Sequence, residues 1–377
     1  MRHTVIIPSF NTLEHLKNTY KSIKSYGEDV DIIIIDDASD DGTADWLLSL
    51  DDERLNRVLS PVRKGHTYWY DEGMKMADTE VVSILHSDMI IGPGYFKNMS
   101  KHLKKGTVVC ATRIEPPIHP PGKEKIVRDF GDEANNFKWD AFEKFVIQEK
   151  ADSIDLTTKG IFAPWMLYKE DHLSIGGHDQ RFAPYGYEDS DIFNRWILAG
   201  YKMVQSRDSL CYHMTCRGHR WNKGVGVENP DYRATMDANA REFLRKWGDW
   251  IQNDQYQYPI INPKYNKGII VKNASPLLIN TLEPWCDTLY VDTDFDGYIK
   301  KEQPKTMVDL SKRIKSIDSK KVNDIFIYVD GSNFTGTDGK NIQQLAAILE
   351  QNKPESGKFK LGNLEIEVIR YYEEIFN

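Results

Sequence analysis

The sequence predicts an α/β protein: a doubly wound, mostly parallel sheet flanked by helices, followed by a second, smaller α/β module. Three observations carry this prediction. Short runs rich in β-branched residues alternate with stretches whose apolar residues recur at helical spacing through the first hundred residues. The strand-like runs are apolar throughout, as strands covered on both faces are. Polar loops rich in Asp, Ser and Gly follow their carboxyl ends, where an open α/β sheet carries its ligand site.

Val5-Ile6-Ile7-Pro8 is the first strand, stopped by proline, with Ser9-Phe10-Asn11 as its terminal loop. Leu13, Leu16, Tyr20 and Ile23 place a helix over 12–25. A second strand, Asp31 to Ile35, runs into the acidic loop Asp36-Asp37-Ala38-Ser39-Asp40-Asp41-Gly42-Thr43 and a helix with Trp46 and Leu47. Arg57-Val58-Leu59 is a short third strand. The polar loop Pro61 to Thr67 then leads to a helix holding Trp69, Tyr70 and Met74. Val81 to Leu85 is the fourth strand, and it turns outward into His86-Ser87-Asp88 before a Gly92-Pro93-Gly94 turn. A helix over 95–104 and a strand over Thr107–Ala111 follow. Between 116 and 155 only a packed helix carrying Trp139, Phe142, Phe145 and Ile147 is expected. The apolar segment Gly160–Tyr168 reads as a core strand, with Trp165 also a candidate platform for a sugar face. Lys202–Gln205 reads as a further strand.

The loop Asn222–Asn229 is glycine-rich and placed to close over a donor, and 231–250 reads as a helix with Phe243, Leu244 and Trp247 on one face. Prolines at 259 and 263 mark a boundary. Residues 1–255 are expected as one domain, with halves over 1–110 and 111–255. Residues 256–377 are expected as a small α/β module, with strands at Gly268–Val271, Thr288–Val291, Asp324–Val329 and Leu364–Ile369 and helical patterns at 303–317 and 339–351. Asp292, Asp294 and Asp296 lack the terminal Glu of a calcium loop. Acceptor binding, oligomerisation and partner docking are all open to this module.

A net charge of -8 argues against non-specific polyanion binding, so nucleic acid is a disfavoured partner. The four cysteines are scattered, without a CxxC pair, and read as reduced thiols. The first strand starts within a few residues of Met1 and no apolar run reaches membrane-spanning length. A cytoplasmic protein is therefore expected, with peripheral membrane contact left open. The first strand is not followed by GxGxxG, which excludes the usual dinucleotide fingerprint and with it a dehydrogenase.

Three clusters carry chemistry. Asp88 sits at a strand end, where a carboxylate serves either a turn or a ligand. Gly186-Tyr187-Glu188-Asp189-Ser190-Asp191 precedes an apolar helical pattern, so its carboxylates lie at a helix entrance that favours the ionised form. Asp189 is the first choice for chemistry there, while Glu188 and Asp191 also suit a capping role. Finally, Cys211 to Trp221 carries His213, His219, Arg217 and Arg220. A histidine of this cluster joining Asp88 around Mn²⁺ or Mg²⁺ is more economical than a Cys/His zinc site, and the arginines suit a diphosphate.

These residues resemble the GT-A fold glycosyltransferases of family 2. Val5 to Asn11 is similar to the family's opening strand and Pro-Ser/Thr-Tyr/Phe-Asn motif, and Ile33 to Thr43 to its VVDDxSxDGT signature. Leu85-His86-Ser87-Asp88 stands where the family has Asp-x-Asp, and Gly186 to Arg195 resembles the acidic motif of the β-1,4-galactosyltransferases. The resemblance covers roughly residues 3 to 225, and it implies nucleotide binding by the 1–110 half and acceptor binding by the 111–255 half. It implies a metal-dependent, inverting glycosyltransferase that uses a nucleotide-sugar, UDP-sugar favoured, and a hydroxyl acceptor such as a glycan. A protein or a modified nucleic-acid base is the alternative acceptor, and a non-catalytic binding protein on a degenerate scaffold the alternative function. By the same resemblance Pro8, Ser9, Phe10, Asn11, Asp36, Asp37, Arg63, Gly65, His86 and Ser87 would hold the nucleotide-sugar. Asp88 and His213 would hold the metal, with His219 in reserve. Asp189 would act as base, Glu188 would orient the acceptor, and Trp165, Tyr187 and Asp191 would lie on the acceptor side. His86 in place of the first Asp, and Arg63-Lys64-Gly65 in place of Asn-x-Gly, depart from the family pattern and leave the donor sugar open.

Overall fold

Strands His3–Ser9, Val30–Asp36, Leu55–Leu59 and Val81–Ile84 pair in parallel, with Ser9 opposite Asp36, so two strand ends finish at one level. In this computed structural model, residues 2–27, 29–221, 226–352 and 356–370 are described, so 222–225 of the Asn222–Asn229 loop lie outside the described residues. The chain forms two compact units, Met1–Thr235 with Asn253–Pro259, and Met236–Gln252 with Ile260–Asn377.

In the first unit the parallel strands continue into Trp165–Tyr168, antiparallel to its neighbours, then Thr107–Glu115, Lys202–His213 and the short strand Met89–Ile91. The sheet is mixed and mostly parallel. Side chains alternate across it, which explains the uninterrupted apolar runs. Val5, Ile7, Ile32 and Ile34 pack on one face with Leu16 and Ile23 of the Leu13–Tyr26 helix. Ile6, Ile33 and Ile35 pack on the other with Trp69 and Met74 of the His66–Met76 helix and Trp196 of the Glu188–Leu198 helix.

Several elements differ from the sequence expectation. Within Gly160–Tyr168 only Trp165–Tyr168 is a strand, because Pro164 has no N–H to give a ladder. The strand expected over Lys202–Gln205 runs on to His213, with a register shift between Gln205 and Leu210. That extension delivers His213 to the end of the sheet.

The second unit holds strands in the order Ile314–Ser316, Thr288–Val291, Lys267–Lys272, Ile325–Asp330, Leu364–Val368 and Gly357–Leu361; the first four are parallel, the last two antiparallel. The helical pattern over 303–317 resolves into a turn at Gln303–Lys305, a short helix Leu310–Arg313 and a strand, because pairing with Thr288–Val291 captures the buried Ile314. Asp292 accepts the backbone N–H groups of Asn273 and Ala274, a loop clasp. Among the described residues no helix is long and apolar enough to cross a membrane.

Candidate active site

The site forms where the chain turns back on itself after Ile84. Leu85 to Asp88 make a turn into Met89–Ile91, which pairs antiparallel with Cys211–His213, so Asp88 comes to rest beside His213. The Met214 N–H donates to the Asp88 carbonyl at 3.1 Å and closes the junction. A run of hydroxyls fastens this turn to the first loop: Ser9 Oγ to Thr12 Oγ1 at 2.9 Å, and Thr12 Oγ1 to Ser87 Oγ at 2.8 Å.

One donor atom each from His86, Asp88 and His213 lies within 4.8 Å of the others. His213 Nε2 is 3.5 Å from Asp88 Oδ1, and its Nδ1 faces Glu115 Oε1 at 3.2 Å. This bond turns the Nε2 lone pair toward Asp88, the arrangement that orients a ligating imidazole. Burial alone would raise the Glu115 pKa, but Arg113 Nη1 at 2.8 Å, His213 and Lys125 Nζ at 2.8 Å hold it well below the carboxylate range. Burial, followed by the neighbouring His213, His66 and His219, keeps His86 neutral, the form in which imidazole binds a metal. Two imidazoles and a carboxylate fit a divalent transition ion. His219 lines the same cavity outside that trio, 6.3 Å ring to ring from His66, with burial and then His66 lowering its pKa to about 4.

Pro8, Ser9, Phe10, Asp37, Arg63, Gly65, His86 and Ser87 line the cavity around Asp88. The Arg63 guanidinium lies 3.8 Å over the Phe10 ring. Asp37 already accepts the N–H groups of Lys64 and Gly65, both at 2.8 Å, and Trp69 Nε1 at 2.6 Å, so it fixes the Arg63–Gly65 loop. Asp36 accepts the Ser39 N–H at 3.1 Å and is absent from the cavity wall, while Asn11 ties the first loop to Asp40. Gly65 has φ +89, and a Cβ there would come within 2.1 Å of the Pro184 carbonyl oxygen, so this contact admits only glycine. The Arg217 side chain is 2% exposed and lines the cavity, yet its Nε and Nη1 have no hydrogen-bond partner among the described residues.

Beyond Tyr185, Tyr187 adopts φ 73 and precedes the Glu188–Leu198 helix. Glu188 Oε1 bonds His66 Nε2 at 2.7 Å, while its buried Oε2 has no partner among the described residues. Burial would raise the Glu188 pKa, but His66 outweighs it and holds the group below its ordinary value. Asp189 is pushed up to about 7 by burial and by the charge of Glu188. Asp191 is fully buried and paired with Arg195 at 2.8 Å, an anchor within the helix. Trp165 corrects the sequence expectation: it is wholly buried between the sheet and Trp196, so no ring face is open to a sugar.

Sequence reasoning missed His66, Tyr70 and Tyr185, which line the cavity, and Glu115, which orients His213. The i, i+4 spacing of His66 and Tyr70 on one helix was the available signal.

Residues 4–163 match the model of glycosyl transferase family 2, and 152–217 that of the N-terminal domain of galactosyltransferase. Over that region the chain is similar to the family 2 glycosyltransferases. Among its relatives, validoxylamine A glucosyltransferase of Streptomyces hygroscopicus subsp. jinggangensis is 24% identical over 269 residues, covering 64% of this chain and 58% of that protein. The uncharacterized glycosyltransferase YfnE of Bacillus subtilis is 23% identical over 260 residues, covering 56% and 64%. The chain thus spans less than two thirds of these curated relatives. Similar solved structures include GalNAc-T7 with UDP, GalNAc and Mn²⁺, at TM-score 0.47 and 14% identity, covering 65% of this chain and 48% of that one. Another is the mannosyltransferase PcManGT of Pyrobaculum calidifontis with GDP-Man and Mn²⁺, at TM-score 0.42 and 19% identity, covering 64% and 62%.

Proposed function

We propose that this chain transfers a sugar from a nucleotide-diphosphate sugar, with a UDP-sugar the first donor to test, to a hydroxyl of a glycan acceptor. The transfer depends on Mn²⁺ or Mg²⁺ and inverts the anomeric carbon. One observation carries the reading: His86, Asp88 and His213 converge at the carboxyl ends of the sheet, beside a buried arginine with unpaired donors. A divalent ion held by these three would supply neutralisation of the charge that develops on the diphosphate.

The chain's own residues supply the rest. Arg217 offers Nε and Nη1 to phosphate oxygens in a buried setting that strengthens charge-assisted bonds. Phe10, Arg63 and Ser9 wall the nucleotide side. Asp189 takes the acceptor proton as the acceptor oxygen bonds to the anomeric carbon. The bond from that carbon to the diphosphate breaks, and its electron pair leaves with the nucleoside diphosphate. Glu188 receives a second hydrogen bond from the acceptor and orients it. A relative named as a glucosyltransferase supports hexosyl transfer.

The test is a calorimetry and thermal-shift panel of UDP, GDP, UDP-glucose, UDP-galactose, UDP-N-acetylglucosamine and GDP-mannose, with Mn²⁺ and with EDTA. Metal-dependent binding of one nucleoside diphosphate, lost in Asp88→Ala, is expected. No binding across the panel would move the weight to a non-catalytic binding protein on this scaffold.

A further inference from the structure

Two adjacent carboxylates at one helix entrance pose a problem of role. Glu188 and Asp189 are chemically alike and consecutive, yet their surroundings differ. Glu188 is 5% exposed and bonded through Oε1 to the His66 imidazole. Asp189 is only partly buried. His66 itself opens the His66–Met76 helix, its side chain 26% exposed and lining the donor cavity.

The elements around this bond are locked together. Asp37 clamps the N–H groups of Lys64 and Gly65 immediately before His66. Gly65 packs on Pro184, and Thr67 Oγ1 donates to the Pro184 carbonyl at 3.4 Å, four residues ahead of Glu188. The Tyr70 ring lies 5.3 Å from that of His66 and supports it from the next helical turn. A path of direct contacts therefore runs from Asp37 through the Lys64–Gly65 backbone to His66, and from His66 to Glu188.

We propose that His66 is a positioning residue for transfer: by holding Glu188 Oε1, it leaves Oε2 as that side chain's one open acceptor and Asp189 as the carboxylate that receives the proton. Within the glycosyltransferase reading, on which this rests, His66 lies between the donor cavity and the acceptor carboxylates. Without it Glu188 is free to turn toward Asp189 or toward solvent, and the acceptor hydroxyl loses its fixed approach. His66 then affects turnover and acceptor use more than nucleotide binding.

The experiment compares the wild-type chain with His66→Ala and His66→Gln, the latter keeping an N–H donor for Glu188. Binding of UDP and GDP with Mn²⁺ is measured by calorimetry. Release of nucleoside diphosphate from the four nucleotide-sugars of the panel is followed with water and with simple glycosides as acceptors. The expected result is a kcat reduced at least 10-fold in His66→Ala, a larger change than any in nucleotide Kd, and recovery of much of that loss in His66→Gln. Wild-type kcat in His66→Ala, or a loss confined to nucleotide Kd, would overturn the assignment while leaving the glycosyltransferase reading intact. Equal losses in the Ala and Gln variants, with lowered melting temperatures in both, would make His66 merely structural. If the wild-type chain releases nucleoside diphosphate from none of the donors, the enzymatic reading fails and this inference falls with it.

Discussion

Asp189 gives the sharpest test of the chemistry, because its environment fixes a pH window. Burial and the neighbouring charge of Glu188 raise its pKa from 3.8 to about 7. A base must be ionised to take a proton, so kcat should rise through neutrality. For one group titrating near 7, roughly one molecule in ten carries the base at pH 6 and nine in ten at pH 8. The expected gain is about tenfold in kcat between those values, with a plateau above. Stability should move the other way. A carboxyl that binds its proton more tightly when folded contributes stability that is complete below about pH 4 and is lost as pH rises through about 7. Asp189→Asn should therefore lower kcat by roughly 10²–10⁴-fold, flatten what remains of the profile, and raise the melting temperature more at pH 8 than at pH 5. The assay is nucleoside diphosphate release with donor, acceptor and Mn²⁺ saturating at every pH, alongside melts of both proteins. A wild-type kcat that is flat from pH 6 to 8, or an Asn variant with wild-type kcat, would refute Asp189 as the base.

Two further outcomes follow from the same contacts. Glu115→Gln leaves His213 Nδ1 facing a neutral acceptor, so Mn²⁺ affinity should fall about 10- to 100-fold by calorimetry; an unchanged affinity in a folded variant would remove Glu115 from the metal's support. In the second unit Glu283 is fully buried against Arg245 at 2.7 Å, Arg313 at 2.6 Å and Arg241 at 3.2 Å. Glu283→Gln leaves these guanidinium groups short of a counter-charge and should cost about 3–5 kcal/mol in denaturant unfolding, and a loss below 1 kcal/mol would mean that the arginines find other partners.

The sequence by itself determined the strands and the ends at which chemistry collects. Apolar runs such as Val5–Ile7 and Ile32–Ile35 have no polar alternative to a sheet covered on both faces, so their place was legible from composition. The polar loops and helix entrances beside these runs are legible too, and they hold Ser9, Asp37, Asp88 and the Glu188–Asp189 pair. Only the tertiary structure decided what each of these groups faces. Trp165 and Asp191 look like site residues in sequence, yet packing puts the first inside the core and an ion pair to Arg195 claims the second. Asp37 reads as a nucleotide ligand but already holds three chain donors. His86 and His213 come together because Met89–Ile91 pairs back along an extended Lys202–His213 strand, a contact between residues more than a hundred positions apart, and Glu115 joins them from the Thr107–Glu115 strand paired on the other side. Local periodicity reports which face of an element is apolar, and it carries no record of which distant polar group that element will meet.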